Sequence, residues 1–194
     1  MKINYFYGTM KSSKTAQMLM MYNNYKIKGI NPILMKPSVD TRSSNLVSSR
    51  IGLSNEANFI IDENNVPQLL KIVRANIQTE TPILIDECQF VAYDTVVKMV
   101  SEALKYDTEH NSFSINAFGL LTDMNGKLFD GSRAWVEQAS KLIEVKTLCS
   151  YCSAKAVRNL FTGKQTGSNI VIGDSEYIPV CARHYYQMTH KGEK

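Results

Sequence analysis

Gly8-Thr9-Met10-Lys11-Ser12-Ser13-Lys14-Thr15 is the stretch on which the reading of this chain turns. It fits the phosphate-gripping pattern G-x-x-x-x-G-K-[ST] except that Ser13 stands where the second glycine is usual. Its surroundings strengthen the match. Residues 3–7 (INYFY) are aromatic and β-branched and predict a strand running straight into Gly8. Residues 14–28 predict a helix with Met18, Leu19, Tyr22 and Tyr25 on its buried face and Gly29 as its stop. A loop that leaves a strand and opens a helix lets backbone N–H groups and the helix dipole converge on phosphate oxygens. All of residues 8–15 are therefore candidate phosphate-binding positions. Lys14 would neutralise the β- and γ-phosphates of a nucleoside triphosphate, and Thr15 would set its hydroxyl on a bridging magnesium ion.

Such a loop needs a carboxylate from a neighbouring strand, and the sequence supplies one. Pro82-Ile83-Leu84-Ile85-Asp86-Glu87 is an apolar strand ending in two acids. This puts Asp86 at the carboxyl end of the sheet, beside the loop, as the second candidate magnesium ligand. The residues alone leave Glu87 open between activating water in an ATPase and deprotonating a substrate hydroxyl in a kinase.

Further strands are expected at residues 31–35, 57–61, 82–85 and 114–118, with helices at 67–75 and 93–105. Alternation of this kind predicts an α/β fold, a parallel sheet covered by helices. Residues 36–55 turn polar and serine-rich and read as a long surface loop containing Arg42 and Arg50. The segment GLLTDMNGKLFDGS after Phe118 reads as an ordered functional loop, too rich in glycine and polar residues for a helix. From about Leu142 the chain changes to short β-like pieces, which divides it into a nucleotide-binding domain at 1–141 and a small lobe at 142–194.

At 194 residues and 44% hydrophobic, the chain can bury one sizeable core plus a small satellite. The net charge of +4 suits a small anionic ligand as well as nucleic acid and decides neither. No window approaches the run of about 20 apolar residues that spans a bilayer, and no signal peptide is evident, so the expectation is a cytoplasmic protein without a membrane partner.

In a reducing compartment, clustered thiols hold metal. Cys149-x-x-Cys152 and Cys181-x-x-His184 make two closely spaced ligand pairs, and one Cys3His set fills tetrahedral coordination completely. With no position left for water, the implied Zn2+ is structural, stapling a lobe too small to hold itself together. Cys88 reads as a small apolar residue, and His110 and His190 as surface residues.

The strand-end motif Asp86-Glu87-Cys88-Gln89-Phe90, the segment Gly119-Leu120-Leu121-Thr122-Asp123-Met124-Asn125-Gly126-Lys127-Leu128-Phe129 and the two ligand pairs together resemble the cytosolic, zinc-containing type of thymidine kinase, in its bacterial or phage form. Asp40-Thr41-Arg42, Val47-Ser48-Ser49-Arg50-Ile51-Gly52-Leu53 and Val171-Ile172-Gly173 followed by Tyr177 stand in matching order. The resemblance covers nearly the whole chain. It implies a P-loop NTPase-like parallel sheet flanked by helices, plus a small zinc-binding β lobe carrying a lasso-like loop. It further implies ATP and thymidine, and also deoxyuridine, as substrates, Mg2+ with ATP, a homotetramer, and feedback binding of thymidine triphosphate.

By the same resemblance Glu87 is the general base toward the 5′-hydroxyl of thymidine, and Arg42 lies near the transferred phosphate. Met10, Phe90, Leu120, Met124, Phe129, Ile172, Gly173 and Tyr177 form the nucleoside site, with main-chain groups reading the base. Metal removal is then expected to damage substrate binding without touching the phosphate loop. The chain departs from the family pattern at Ser13, at Leu121 where arginine is usual, at Met124 where phenylalanine is usual, and in having Gly173 alone of a glycine pair. The alternatives are a zinc-ribbon P-loop ATPase acting on nucleic acid and a catalytically weakened nucleotide-binding homologue. Against the first, the basic residues are scattered and not interleaved with aromatic ones, so no nucleic-acid partner is expected.

Overall fold

The computed structural model describes residues 1–40, 45–163 and 176–190. In chain order the elements are β1 (Lys2–Tyr7), α1 (Lys14–Ile27), β2 (Ile33–Pro37), β3 (Leu46–Ser48), β4 (Ser54–Glu56), β5 (Phe59–Ile61), α2 (Val66–Gln78), β6 (Ile83–Ile85), α3 (Tyr93–Lys105), β7 (Ser114–Gly119), α4 (Asp130–Gln138), β8 (Lys141–Glu144), β9 (Arg158–Phe161), β10 (Tyr177–Val180) and α5 (Ala182–Thr189). Every residue of β6 and β7 is buried, which in a sheet means that both faces are covered. These strands lie at the centre of a six-stranded parallel sheet of order β5-β2-β6-β7-β1-β8.

The two faces follow from the period-2 alternation of the strands. Ile3, Tyr5, Met35, Ile83, Ile85, Ile115 and Ala117 face one way and pack on α2, α3 and α4, through residues such as Val73, Met99 and Trp135. Leu34, Leu84 and Phe118 face the other way, against Met18 and Leu19 of α1. Phe6 stacks on Phe118 with ring centroids 4.2 Å apart. The chain beyond β8 folds as a lobe, with β9 and β10 antiparallel and α5 beside them.

Four expectations need correction. Asp86 does not end a strand adjacent to the loop's own: β7 lies between β1 and β6. Residues 36–55 are not one loop. Lys36 and Pro37 belong to β2, and β3 and β4 form an antiparallel hairpin closed by Ser49 and Leu53. Lys36 opens the polar, serine-rich stretch, yet it is buried and its Nζ lies 2.9 Å from Asp40 Oδ2, the pairing that a buried cation requires. Helix α4 has no sign in the sequence because Asp130-Gly131-Ser132 carries poor helix formers, and the burial of Gly131, Ser132, Ala134 and Trp135 outweighs their propensity. A domain boundary at 141/142 would cut β8, whose four residues pair with β1 in the main sheet. No helix among the described residues is long and apolar enough to cross a membrane.

Candidate active site

The phosphate loop is shaped by residues that take left-handed backbone, Lys11 (φ 63°) and Ser13 (φ 64°). Such a conformation costs a residue with a Cβ about 1 kcal/mol, so Ser13 holds at a cost what glycine would hold freely. Gly8 is required for another reason. A Cβ there would strike the main-chain carbonyl of Val145, which follows β8. Lys14 Nζ donates to the carbonyl oxygens of Thr9 (2.8 Å) and Gly8 (3.3 Å) and to Ser12 Oγ (3.3 Å). Loss of hydration lowers its pKa, while the Glu87 and Asp86 carboxylates act to raise it.

Thr15 Oγ1 lies 3.2 Å from each carboxylate oxygen of Asp86, across the intervening β7. Burial, and next the neighbouring Glu87 charge, push the Asp86 carboxyl up to about 7. A hydroxyl and a carboxylate converging in a poorly hydrated corner form an oxygen donor set of the kind that magnesium takes. Glu87 itself has φ 47°, left-handed backbone in a residue with a Cβ, strain of a kind that gathers at functional sites.

The turn carrying these acids is fixed from α4. Trp135, fully buried, donates its indole N–H to the Cys88 carbonyl (3.2 Å), and Gly131 packs so closely on the Gln89 and Val91 carbonyls that a Cβ would not fit. Gln89 is buried and committed at both ends. Its Nε2 donates to Glu87 Oε2 (2.6 Å), and its Oε1 accepts from the Leu120 N–H (3.0 Å). The Leu120 carbonyl accepts from Tyr5 Oη and Ser132 Oγ, each at 2.6 Å. One side chain thus ties the acid to the root of the glycine-punctuated segment.

That segment is a small hairpin between β7 and α4, closed by a Thr122–Leu128 bridge and by Asp123, whose carboxylate accepts from the Asn125 and Lys127 N–H groups (2.9 Å each). Leu121 packs against the main core as an apolar anchor. The lobe grips the tip: Tyr185 Oη donates to the Met124 carbonyl (2.6 Å), and Tyr177 Oη lies 3.9 Å from Met124 Sδ. The lobe also reaches the phosphate loop, where the Met10 N–H donates to Asn159 Oδ1 (2.8 Å).

One cavity of about 340 Å³ is lined by the phosphate loop, the acidic turn, the glycine-punctuated hairpin and the lobe residues Asn159 and Tyr177. Residues 10–15 and Asp86 line one end, and Glu87, bonded through Gln89 to Leu120, stands between the two ends. Phe90, Leu120, Met124, Phe129 and Tyr177 line the other, with Phe90 and Phe129 edge to face at 5.8 Å. Gly8 and Thr9 support the loop without lining the cavity, and Thr9 Oγ1 is the single buried side-chain polar atom without a hydrogen bond among the described residues. Arg42, Ile172 and Gly173 lie outside the described residues. Four lining contributors, Gln89, Asn159, Asp40 and the β3–β4 hairpin with Arg50, had no assigned role from sequence. Of these, Gln89 stands in the Asp86–Phe90 motif and Asp40 and Arg50 in the Asp40-Thr41-Arg42 and Val47–Leu53 stretches that carry the family resemblance, whereas Asn159 has no signal in the sequence.

Cys149, Cys152, Cys181 and His184 bring their ligand atoms within 4.8 Å of one another, with His184 Nδ1 3.3 Å from the Cys149 and Cys181 sulfurs and 3.6 Å from that of Cys152. Zn–S bonds of about 2.3 Å in a tetrahedron place sulfurs about 3.8 Å apart. The 3.9 Å between Cys152 and Cys181 matches, so this Cys3His group fits zinc. Leu160 and Val180, on one face of the β9–β10 hairpin, pack on it.

Residues 1–185 match the thymidine kinase family. The chain is 38% identical over 191 residues to a thymidine kinase of Streptococcus agalactiae, an alignment covering 95% of this chain and 97% of that one. It is 38% identical over 194 residues to that of Streptococcus gordonii, covering 96% of each. To that of Enterobacteria phage T4 it is 34% identical over 191 residues, covering 95% of each.

Proposed function

Because the chain belongs to the thymidine kinase family, we propose that it transfers the γ-phosphate of ATP to the 5′-hydroxyl of thymidine, and also of deoxyuridine, giving the monophosphate. The observation that carries this reading is the order of chemistry along one cavity: Lys14 and Thr15 at one end, Glu87 in the middle, and the neutral aromatic end formed by Phe90, Phe129 and Tyr177. A triphosphate needs the first, a hydroxyl nucleophile the second and a flat base the third.

In this reading the loop N–H groups and Lys14 hold the β- and γ-phosphates, and Glu87 takes the 5′-hydroxyl proton as that oxygen attacks the γ-phosphorus. Gln89, bonded to Glu87, holds its carboxylate toward the nucleoside. Arg42 is proposed near the transferred phosphate, and Ile172 and Gly173 with the nucleoside. Magnesium supplies charge neutralisation when bound, and Thr15 and Asp86 are the residues that would hold it. Zinc on the Cys3His group would keep the lobe folded, and with it the grip of Tyr185 and Tyr177 on Met124. Residence in the cytoplasm, a homotetramer and feedback by thymidine triphosphate complete the reading.

The test is to incubate zinc-replete protein with ATP, magnesium and each deoxynucleoside in turn and to look for monophosphates. Thymidine monophosphate is the expected product. ATP hydrolysis that is stimulated by DNA and indifferent to nucleosides would favour the zinc-ribbon ATPase instead.

A further inference from the structure

Lys36, next to last in β2, is 1% exposed, an unusual place for a lysine. Alternation along β2 turns Leu34 toward α1 and Met35 toward α2 and α3, so Lys36 points to the α1 side of the sheet. That is the side on which Asp86, one strand over, meets Thr15.

Its partners come from two stretches of chain. Nζ lies 2.9 Å from Asp40 Oδ2 and donates to the Leu46 carbonyl (3.4 Å). Asp40 precedes and Leu46 follows residues 41–44, which lie outside the described residues, so one ammonium holds the chain on both sides of that stretch. Leu46 opens β3, and Val47 after it is buried against Met18 and Leu19 of α1. Asp40 and residues 46–51 line the same cavity as residues 10–15. Arg50, at the turn of the hairpin, is within electrostatic reach of the phosphate loop: loss of hydration first lowers the Lys14 pKa, and the Arg50 charge adds to that lowering. The hairpin is therefore a second wall of the phosphate end.

A buried ion pair is commonly no more stabilising than apolar side chains of like volume, so cohesion alone does not account for a lysine here. What an ammonium supplies and an apolar side chain does not is three directed donors, enough to hold two separate stretches of chain at a fixed distance. We propose that Lys36 is a positioning residue for the triphosphate, holding Asp40 and the β3–β4 hairpin together as the second wall of the phosphate end. Lys36 does not itself line the cavity and acts through the two stretches it holds. The assignment rests on the nucleoside kinase reading and deepens it on the ATP side.

The test measures equilibrium binding of ATP and of thymidine, each alone, for the wild type, Lys36→Met, Asp40→Asn and the double variant. Positioning predicts that each single variant weakens ATP by about 10-fold, the scale of one hydrogen bond to a charged group, and leaves thymidine within about twofold. The double variant should also sit near 10-fold, not the roughly 100-fold of independent effects, because both changes break one link. A field effect of the two charges on the triphosphate would give opposite signs, Lys36→Met weakening ATP and Asp40→Asn strengthening it, and overturns the assignment. So does a thymidine loss equal to the ATP loss, the mark of a general structural role, and so does ATP affinity unchanged in every variant. If a single variant fails to fold because it leaves one charge buried alone, the double variant, which leaves none, decides. There, ATP weakened about 10-fold with thymidine kept supports the assignment, and any other result overturns it. Binding needs no phosphate transfer, so a wild type that binds ATP yet forms no thymidine monophosphate breaks the kinase reading and leaves the assignment standing.

Discussion

The phosphate end of the cavity is drawn from residues 8–15 and one strand end, whereas the nucleoside end is drawn from the turn after β6, the hairpin after β7 and two strands of the zinc-ligand lobe. The first is a local structure whose backbone conformation is its function: successive N–H groups aimed by one turn and one helix start. The second is an assembly of side chains that meet only because α4, the sheet and the lobe hold a turn, a hairpin and two strands against each other. A substitution at the phosphate end should act on ATP and catalysis, and one at the nucleoside end on thymidine. The cross-links at Gln89 and Asn159 are where that division should fail.

The largest expected effect lies where the ends meet. Glu87→Gln should lower kcat by about 10³-fold, the scale of a lost general base, with the KM for ATP kept, as steady-state kinetics would read. An equal loss of ATP binding would move Glu87 into the phosphate end.

Removing zinc by chelation, or replacing Cys152 by Ser, should raise the KM for thymidine by about 10- to 100-fold, because Tyr185 and Tyr177 lose their hold on Met124. The hydrogen bond between Asn159 and the Met10 N–H sets a different expectation for the phosphate loop from the one the family resemblance implies. Asn159 releases Met10 at the same time, so the KM for ATP should rise by about 3- to 5-fold, one hydrogen bond's worth. An ATP KM that stays constant through zinc loss would restore the clean division.

Gln89→Leu removes both the donor to Glu87 and the acceptor for Leu120. It should lower kcat by about 10-fold and raise the thymidine KM by a few-fold together, since a hydrogen bond to a charged group is worth more than a neutral one. A change in only one of the two constants would mean that the side chain serves a single end. Tyr185→Phe should raise the thymidine KM by about 3-fold and leave ATP unaffected.

The smallest effect is expected at Ser13. With φ at 64°, Ser13→Gly relieves the loop and should stabilise the protein by up to about 1 kcal/mol, seen as a higher Tm, with ATP affinity kept or improved. A clear loss of ATP affinity would show that the serine side chain itself holds phosphate.

The difference between the two ends also explains what could be read from the chain. The phosphate loop was legible because strand, glycine, lysine and helix start occupy consecutive positions, and Asp86 because an apolar run ending in acids is also local. The Cys3His group was legible because its ligands come in two short pairs. Lys36 is illegible in the chain because a lysine gives no local sign of being buried. Its partner Asp40, four residues on, became visible only once β2 ended beside it. Helix α4, which holds the acidic turn through Trp135 and Gly131, was hidden because Asp130-Gly131-Ser132 reads as a loop until the sheet beneath it is in place.

The α/β class, the phosphate loop, the two acids, the metal-ligand set and the family can all be read along the chain. Each of these rests on chemistry that needs particular residue types at fixed short spacing. It takes the folded chain to show that β7 separates the loop from Asp86, that Gln89 joins Glu87 to Leu120, and that the lobe's Asn159 holds Met10. Hydrogen bonds between residues 31 and 149 positions apart leave no period and no motif in a chain, because either partner alone is an ordinary amide.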